Sequence, residues 1–115
     1  MTLSEKQRIF TMNIGKLIAW AYANGFELTF GDAYRDPRLA ALNASEGKGI
    51  KNSLHTRRLA VDFNLFKESV YLAKSEAYKP LGDYWKSLEP RNRWGGDFKP
   101  VPDGNHFSCE DGGIK

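Results

Sequence analysis

The stretch Leu59-Ala60-Val61-Asp62-Phe63-Asn64-Leu65-Phe66 alternates with a period of two. Leu59, Val61, Phe63 and Leu65 fall on one face, and Ala60, Asp62, Asn64 and Phe66 on the other. Strand side chains point alternately to opposite faces, so this pattern predicts a strand whose apolar face meets a core. Asp62 is the one charge in it. A lone carboxylate on a polar strand face can simply meet solvent. Ala60 and Asn64 beside it are small or neutral, which suits a concave floor. A carboxylate on such a floor needs a cation or several hydrogen bonds.

Working outward, Phe26, Leu28 and Phe30 alternate with polar residues and predict a second strand. Before it, Phe10, Ile14, Leu17, Ile18 and Ala21 keep helical spacing, with Ser4 and Gln7 reading as a capping box and Asn24-Gly25 as the C-cap. This predicts a helix over about 5–24. Asp36-Pro37 reads as an N-cap with proline at the first helical position, opening a short helix through Arg38–Leu42. Residues 45–52 are rich in Gly and Lys and read as a loop. After the central strand, Pro80 opens a helix with Leu81, Tyr84, Trp85 and Leu88 on one face. Trp94-Gly95-Gly96-Asp97-Phe98 reads as a turn or strand edge. His106–Glu110 is a short last strand, and the tail after Asp111 is expected to fray. Helices and strands mix without regular βαβ alternation. The expected fold is therefore α+β, a single small domain over residues 1–115 with an antiparallel sheet and flanking helices.

Composition bounds the function. At 115 residues with 41% hydrophobic and 13% aromatic content, one core is within reach and wholesale disorder is not expected. One cysteine excludes a disulfide framework and a Cys-rich zinc finger. The longest apolar run, Leu17–Ala23, falls far short of the roughly 20 residues of a membrane span, so no membrane insertion is expected. The first residues show no apolar segment behind a basic start, so no secretory signal is expected either. The net charge of +3 comes from scattered residues, the densest cluster being Lys48, Lys51, Arg57 and Arg58. Small clusters of this kind are usually solvated loops, and nucleic-acid binding is not expected.

The chain has two histidines, His55 and His106. His55 stands seven positions before Asp62 and can fold back onto the strand's polar face; His106 heads the last strand. Two imidazoles and one carboxylate make a three-ligand set, the arrangement in which zinc keeps a position open for water. Spacing alone leaves coincidence open. Asp103, three positions before His106 in Asp103-Gly104-Asn105, could reach a water at such a metal from a flexible turn, or could simply make an Asp-Gly turn. Cys109 would point away from His106 along a strand and reads as a small buried hydrophobe.

Ser53-Leu54-His55 followed by Ala60-Val61-Asp62-Phe63 resembles the Ser-x-His-x6-Asp motif of the LAS metallopeptidases, which cut peptidoglycan stem peptides. Trp94-Gly95-Gly96-Asp97-Phe98 and Asp103-x-x-His106-Phe107 resemble the second half of that pattern. The likeness spans roughly residues 34–107 and is nearest to the small phage endolysin branch. It implies zinc, one per chain, held by His55, Asp62 and His106, with Asp103 as general base and acid. It implies that Arg35 anchors or polarises the substrate and that Ser53 hydrogen-bonds it near the metal. Arg35 can equally be a salt-bridged surface residue, and Ser53 an ordinary loop serine. Asp97 is expected to close the Gly-Gly turn. Arg57-Arg58 depart from the pattern, since many relatives carry a glycine there, which puts the shape of that loop in question.

The resemblance implies a zinc peptidase acting on bacterial peptidoglycan peptides. The expected form is a monomeric phage endolysin with L-alanyl-D-glutamate endopeptidase activity. It would be made in the host cytoplasm and reach the wall through a membrane lesion. A D,D-carboxypeptidase or dipeptidase, or a non-catalytic zinc-binding module of the same fold, are the alternatives. Asp103 speaks against the last, because a structural site needs no base. A small basic nucleic-acid-binding protein would instead show salt-sensitive affinity for DNA and no metal.

Overall fold

A computed structural model describes residues 1–47 and 53–115. In chain order, the elements are α1 (Leu3–Ala23), β1 (Phe26–Phe30), α2 (Pro37–Ser45), β2 (Ala60–Lys67), β3 (Val70–Leu72), α3 (Lys79–Leu88), β4 (Asn92–Trp94) and β5 (His106–Cys109). Short 3-10 turns cover Leu54–Arg57, Ser75–Tyr78 and Gly95–Asp97. The class is α+β, and every strand pairing is antiparallel.

The sheet runs β1-β2-β5-β4, and β3 also pairs with β2. β2 is thus the hub, as its alternation predicts. Val61, Phe63 and Leu65 are buried, while Asp62, Asn64 and Phe66 are only half-buried. The buried face packs against Phe10, Ile14, Leu17 and Ala21 of α1 and Leu81 and Trp85 of α3. Trp85 meets Phe10 and Phe107 edge-on, at ring centroid distances of 5.5 and 6.2 Å. Its indole N–H donates to the carbonyls of Arg93 and Ser108, so the largest core side chain is also polar-satisfied. With α1 and α3 on one face, the other face of β2 is left for the site.

Four local expectations change. The capping box at α1 is Thr2 with Glu5, whose side chains and backbone N–H groups bond reciprocally at 3.1 and 3.0 Å; Ser4 lies inside the helix. α2 continues to Ser45, past the expected end at Leu42. β3 has no forecast in the sequence because its hairpin turn, Glu68-Ser69, has φ of +51° and +65° without the glycine or asparagine that normally marks such a turn. The tail does not fray. Asp111 bridges to Ile114 across Gly112-Gly113, Ile114 packs on the core, and Lys6 and Arg57 both bond the Asp111 carboxylate at 2.7 Å. Most of the Gly- and Lys-rich loop, 48–52, lies outside the described residues.

Candidate metal centre

Register brings the two strand residues together. Asp62 of β2 is paired directly with His106 of β5, so their side chains share a face. His55 arrives from the Leu54–Arg57 turn, whose first N–H groups are satisfied from Ser53: its hydroxyl accepts from the His55 N–H at 3.2 Å. The turn closes on Arg58 at φ +55°, ψ +37°. This is the left-handed conformation glycine adopts freely and that costs other residues about 1–2 kcal/mol. Arg58 therefore keeps the loop shape expected of a glycine, and its guanidinium lies 4.0 Å from the centre of the Tyr34 ring, which offsets part of that cost.

The segment Gly31–Arg35 binds both halves of the site through its backbone. Gly31 N–H donates to the Asp62 carbonyl at 2.8 Å and Asp62 N–H to the Asp32 carbonyl at 2.7 Å, carrying the β1–β2 ladder past the strand end. Arg35 N–H donates to the His55 carbonyl at 3.1 Å, and His55 Nδ1 lies 2.9 Å from the Ala33 carbonyl. A Cβ on Gly31 would press on Asp62 at 3.2 Å, so this close approach suits glycine. None of these carbonyls carries a side-chain signal, which is why the sequence reading passes over Ala33.

A carbonyl only accepts, so His55 Nδ1 carries a proton, and in the neutral ring Nε2 presents a lone pair. That Nε2 lies 3.3 Å from Asp62 Oδ1, and His106 Nδ1 lies 3.2 Å from the same oxygen. One donor atom from each of the three residues lies within 4.8 Å of the others. Two donors on one tetrahedral zinc, each about 2.0–2.1 Å from the ion, stand about 3.3 Å apart. A lone pair facing a carboxylate at that distance is repulsive unless a cation or a proton lies between them. His55 and His106 are 4% and 7% exposed, and His106 Nε2 is buried without a hydrogen-bond partner. Nδ1 is thus the nitrogen that faces the shared oxygen. These residues fit a divalent ion with nitrogen and oxygen ligands.

Burial alone would raise the Asp62 carboxyl, but the His106 and His55 contacts outweigh it and hold it at about 2. Burial works to lower the His55 imidazole, and the Asp62 carboxylate with the Ala33 carbonyl reverses this, leaving it raised. Asp103 is raised, first by burial and then by the Asp62 charge.

Asp103 is held from three sides, and its turn is fastened rather than flexible. Its N–H donates to the Gly95 carbonyl at 2.8 Å, and its carbonyl accepts from His106 N–H at 3.1 Å. Trp94 Nε1 donates to the Gly104 carbonyl at 2.7 Å, and Gly104 N–H to Ser75 Oγ at 3.0 Å. A Cβ on Gly95 would collide with the Asp103 carbonyl and the His106 Cβ. The Trp-Gly-Gly run is therefore the floor on which the Asp103–His106 turn rests. Asp97 is exposed and paired with Lys86 at 2.7 Å, as a turn residue would be. Arg35 lines a cleft of about 430 Å³ with Asp32, Tyr34, Asp36, Leu39 and Asn43, and its Nη2 bonds Asp32 Oδ2 at 2.6 Å.

A family model described as D-alanyl-D-alanine carboxypeptidase matches residues 46–109. Among solved structures, the L-Ala D-Glu endopeptidase ChiX of Serratia marcescens superposes with a TM-score of 0.69 at 18% identity, covering 93% of this chain and 85% of that one. A vancomycin-resistance D,D-pentapeptidase, VanY of the VanB-type cassette, solved as a mutant in complex with Zn(II), gives 0.57 at 16% identity, covering 87% and 70%. At these identities the likeness is one of fold. No curated protein matches the chain.

Proposed function

The chain belongs to the D-alanyl-D-alanine carboxypeptidase family of LAS-type zinc peptidases, and from that premise we propose that it is a zinc-dependent endopeptidase of peptidoglycan stem peptides, cutting the L-alanyl-D-glutamate bond as a phage endolysin. The observation that carries the reading is the convergence of His55 Nε2 and His106 Nδ1 on Asp62 Oδ1 at 3.3 and 3.2 Å, with Asp103 on the turn whose carbonyl accepts from His106 N–H. The endopeptidase choice draws on the fold it shares with the Serratia marcescens L-Ala D-Glu endopeptidase. The net charge of +3 suits an anionic wall. Among the described residues no helix is long and apolar enough to cross a membrane, and the endolysin reading brings the enzyme to the wall through a membrane lesion.

His55, Asp62 and His106 would hold the ion. When bound, zinc supplies Lewis acidity, polarising the scissile carbonyl and lowering the pKa of a nearby water. The Asp103 carboxylate takes the proton from the attacking water and returns it to the departing amine nitrogen. Its raised affinity for a proton suits that relay. The Ala33 carbonyl holds the proton on His55 Nδ1 and so keeps Nε2 free to coordinate. Arg35, beside the cleft, anchors a carboxylate or carbonyl of the peptide. Ser53 spends an acceptor lone pair on His55 N–H and keeps its O–H for the substrate.

Elemental analysis tests the ion, and mass spectrometry of digested peptidoglycan tests the bond. The purified protein should carry one zinc per chain, and His55→Ala and His106→Ala should each lose zinc and cleavage together. The digest should contain peptides beginning with D-glutamate. Peptides shortened only by terminal D-alanine would establish the carboxypeptidase reading that the family description favours. Stoichiometric zinc in the double variant would refute the ligand set.

A further inference from the structure

Arg35 sits at the end of the Gly31–Arg35 segment, tied to the site at two points. Its own N–H is bonded to the His55 carbonyl at 3.1 Å. Its guanidinium is bonded to the Asp32 carboxylate at 2.6 Å, while the backbone carbonyl of that same Asp32 accepts from Asp62 N–H at 2.7 Å. Asp32 is thus a short mechanical link: one end is hydrogen-bonded to the strand residue of the candidate metal centre, the other grips the cation beside the cleft. The cleft's other carboxylate, Asp36, is committed to Arg38 through its side chain and backbone N–H.

From this geometry we infer that Asp32 is a positioning residue that fixes the Arg35 guanidinium at a set distance from the His55–Asp62–His106 group, so that a substrate carboxylate or carbonyl meets an already oriented donor. This rests on the reading of Arg35 as the substrate anchor. An arginine side chain has many rotamers, and freezing them on binding weakens affinity. Asp32 freezes them beforehand. The pair is exposed on its acidic side, with the Asp32 side chain 59% accessible against 20% for Arg35. Such a pair adds little to folding stability, so its loss should be read in substrate binding and not in the fold. The planar guanidinium can spend one N–H edge on Asp32 and keep others for substrate.

The test is a double-mutant cycle on the zinc-loaded full chain, assayed with muropeptides freed from peptidoglycan by a muramidase. Asp32→Ala should raise KM about 3- to 10-fold, leave kcat within about twofold, and leave zinc content and circular dichroism unchanged. In the Arg35→Ala background the same change should have no further effect. Asp32→Glu should recover part of the lost affinity. An equal KM rise in both backgrounds, or zinc loss in Asp32→Ala, would overturn the inference, because Asp32 would then act independently of Arg35. If Arg35→Ala is impaired but Asp32→Ala is silent, the positioning role alone falls. If Arg35→Ala is silent, the anchor reading falls and the positioning role with it.

Discussion

A half-buried carboxylate between two imidazoles is costly unless hydrogen bonds or opposite charge offset its burial. Asp62 meets that condition through its contacts to His55 and His106, which hold its carboxyl at about 2 against the opposing pull of burial. Asp103 is the contrasting case. Its carboxyl is raised by burial and by Asp62, and no side-chain cation is hydrogen-bonded to it among the described residues. Two carboxylates pushed in opposite directions suit the proposed mechanism, in which Asp62 would hold the ion and Asp103 would carry the proton. Asn is nearly isosteric with Asp but cannot take a proton. Asp103→Asn should therefore retain zinc and fold while kcat falls on the order of 10²–10⁴-fold, with KM little changed. Steady-state kinetics with zinc analysis decides it. Near-normal turnover with zinc retained would hand the proton transfer to another group, and Asp97, tied to Lys86 on the surface, is poorly placed to take it.

At the scale of elements, helix α1 tests how caps are read. Ser4/Gln7 and Thr2/Glu5 both match the capping-box spacing, and only the hydrogen bonds decide between them. Thr2→Ala should cost about 0.5–2 kcal/mol in denaturant unfolding, whereas Ser4→Ala, inside the helix, should cost little. The reverse order would restore the box to Ser4. The same contrast runs through the fold. β2 and the buried stripe of α1 were legible because side-chain period reports burial directly, while β1 was legible from its period although Phe30 at its end is 69% exposed. The three converging site residues were legible because imidazole and carboxylate are scarce and chemically distinct. What was hidden was carried by backbone: the Ala33 carbonyl, the positive-φ turn at Glu68-Ser69, and the Gly95 cradle under Asp103. Arg58 shows the limit from the other side. Its side chain departs from the family pattern, yet its φ of +55° preserves the glycine-like bend. Side-chain identity alone misjudges such a position.

At the scale of the whole molecule, the first turn of α1, the turn bearing His55 and the C-terminal residues meet on one carboxylate. Lys6 and Arg57 both bond Asp111 at 2.7 Å, and Gln7 donates to the Arg57 carbonyl at 2.8 Å. The two chain ends are thereby tied to the loop whose start places His55. The Lys6 and Arg57 contacts lower the Asp111 carboxyl from its ordinary value, against the upward pull of burial. A depressed carboxyl stabilises the fold fully above its unfolded pKa, near 3.9, and loses that contribution as pH falls through the lower folded value. Asp111→Asn removes the charge and leaves two cations facing an amide. At pH 7 it should lower stability by about 1 kcal/mol, or roughly 4 °C in Tm for a domain of this size. The gap between variant and wild type should narrow as pH drops below about 3.9, because the wild-type carboxyl then becomes protonated too. Thermal unfolding of both proteins between pH 7 and pH 2.5 measures this gap, whatever other carboxylates contribute equally to each. A gap that persists undiminished at the acid end would show that Asp111 acts through its shape and hydrogen bonds and not through its charge.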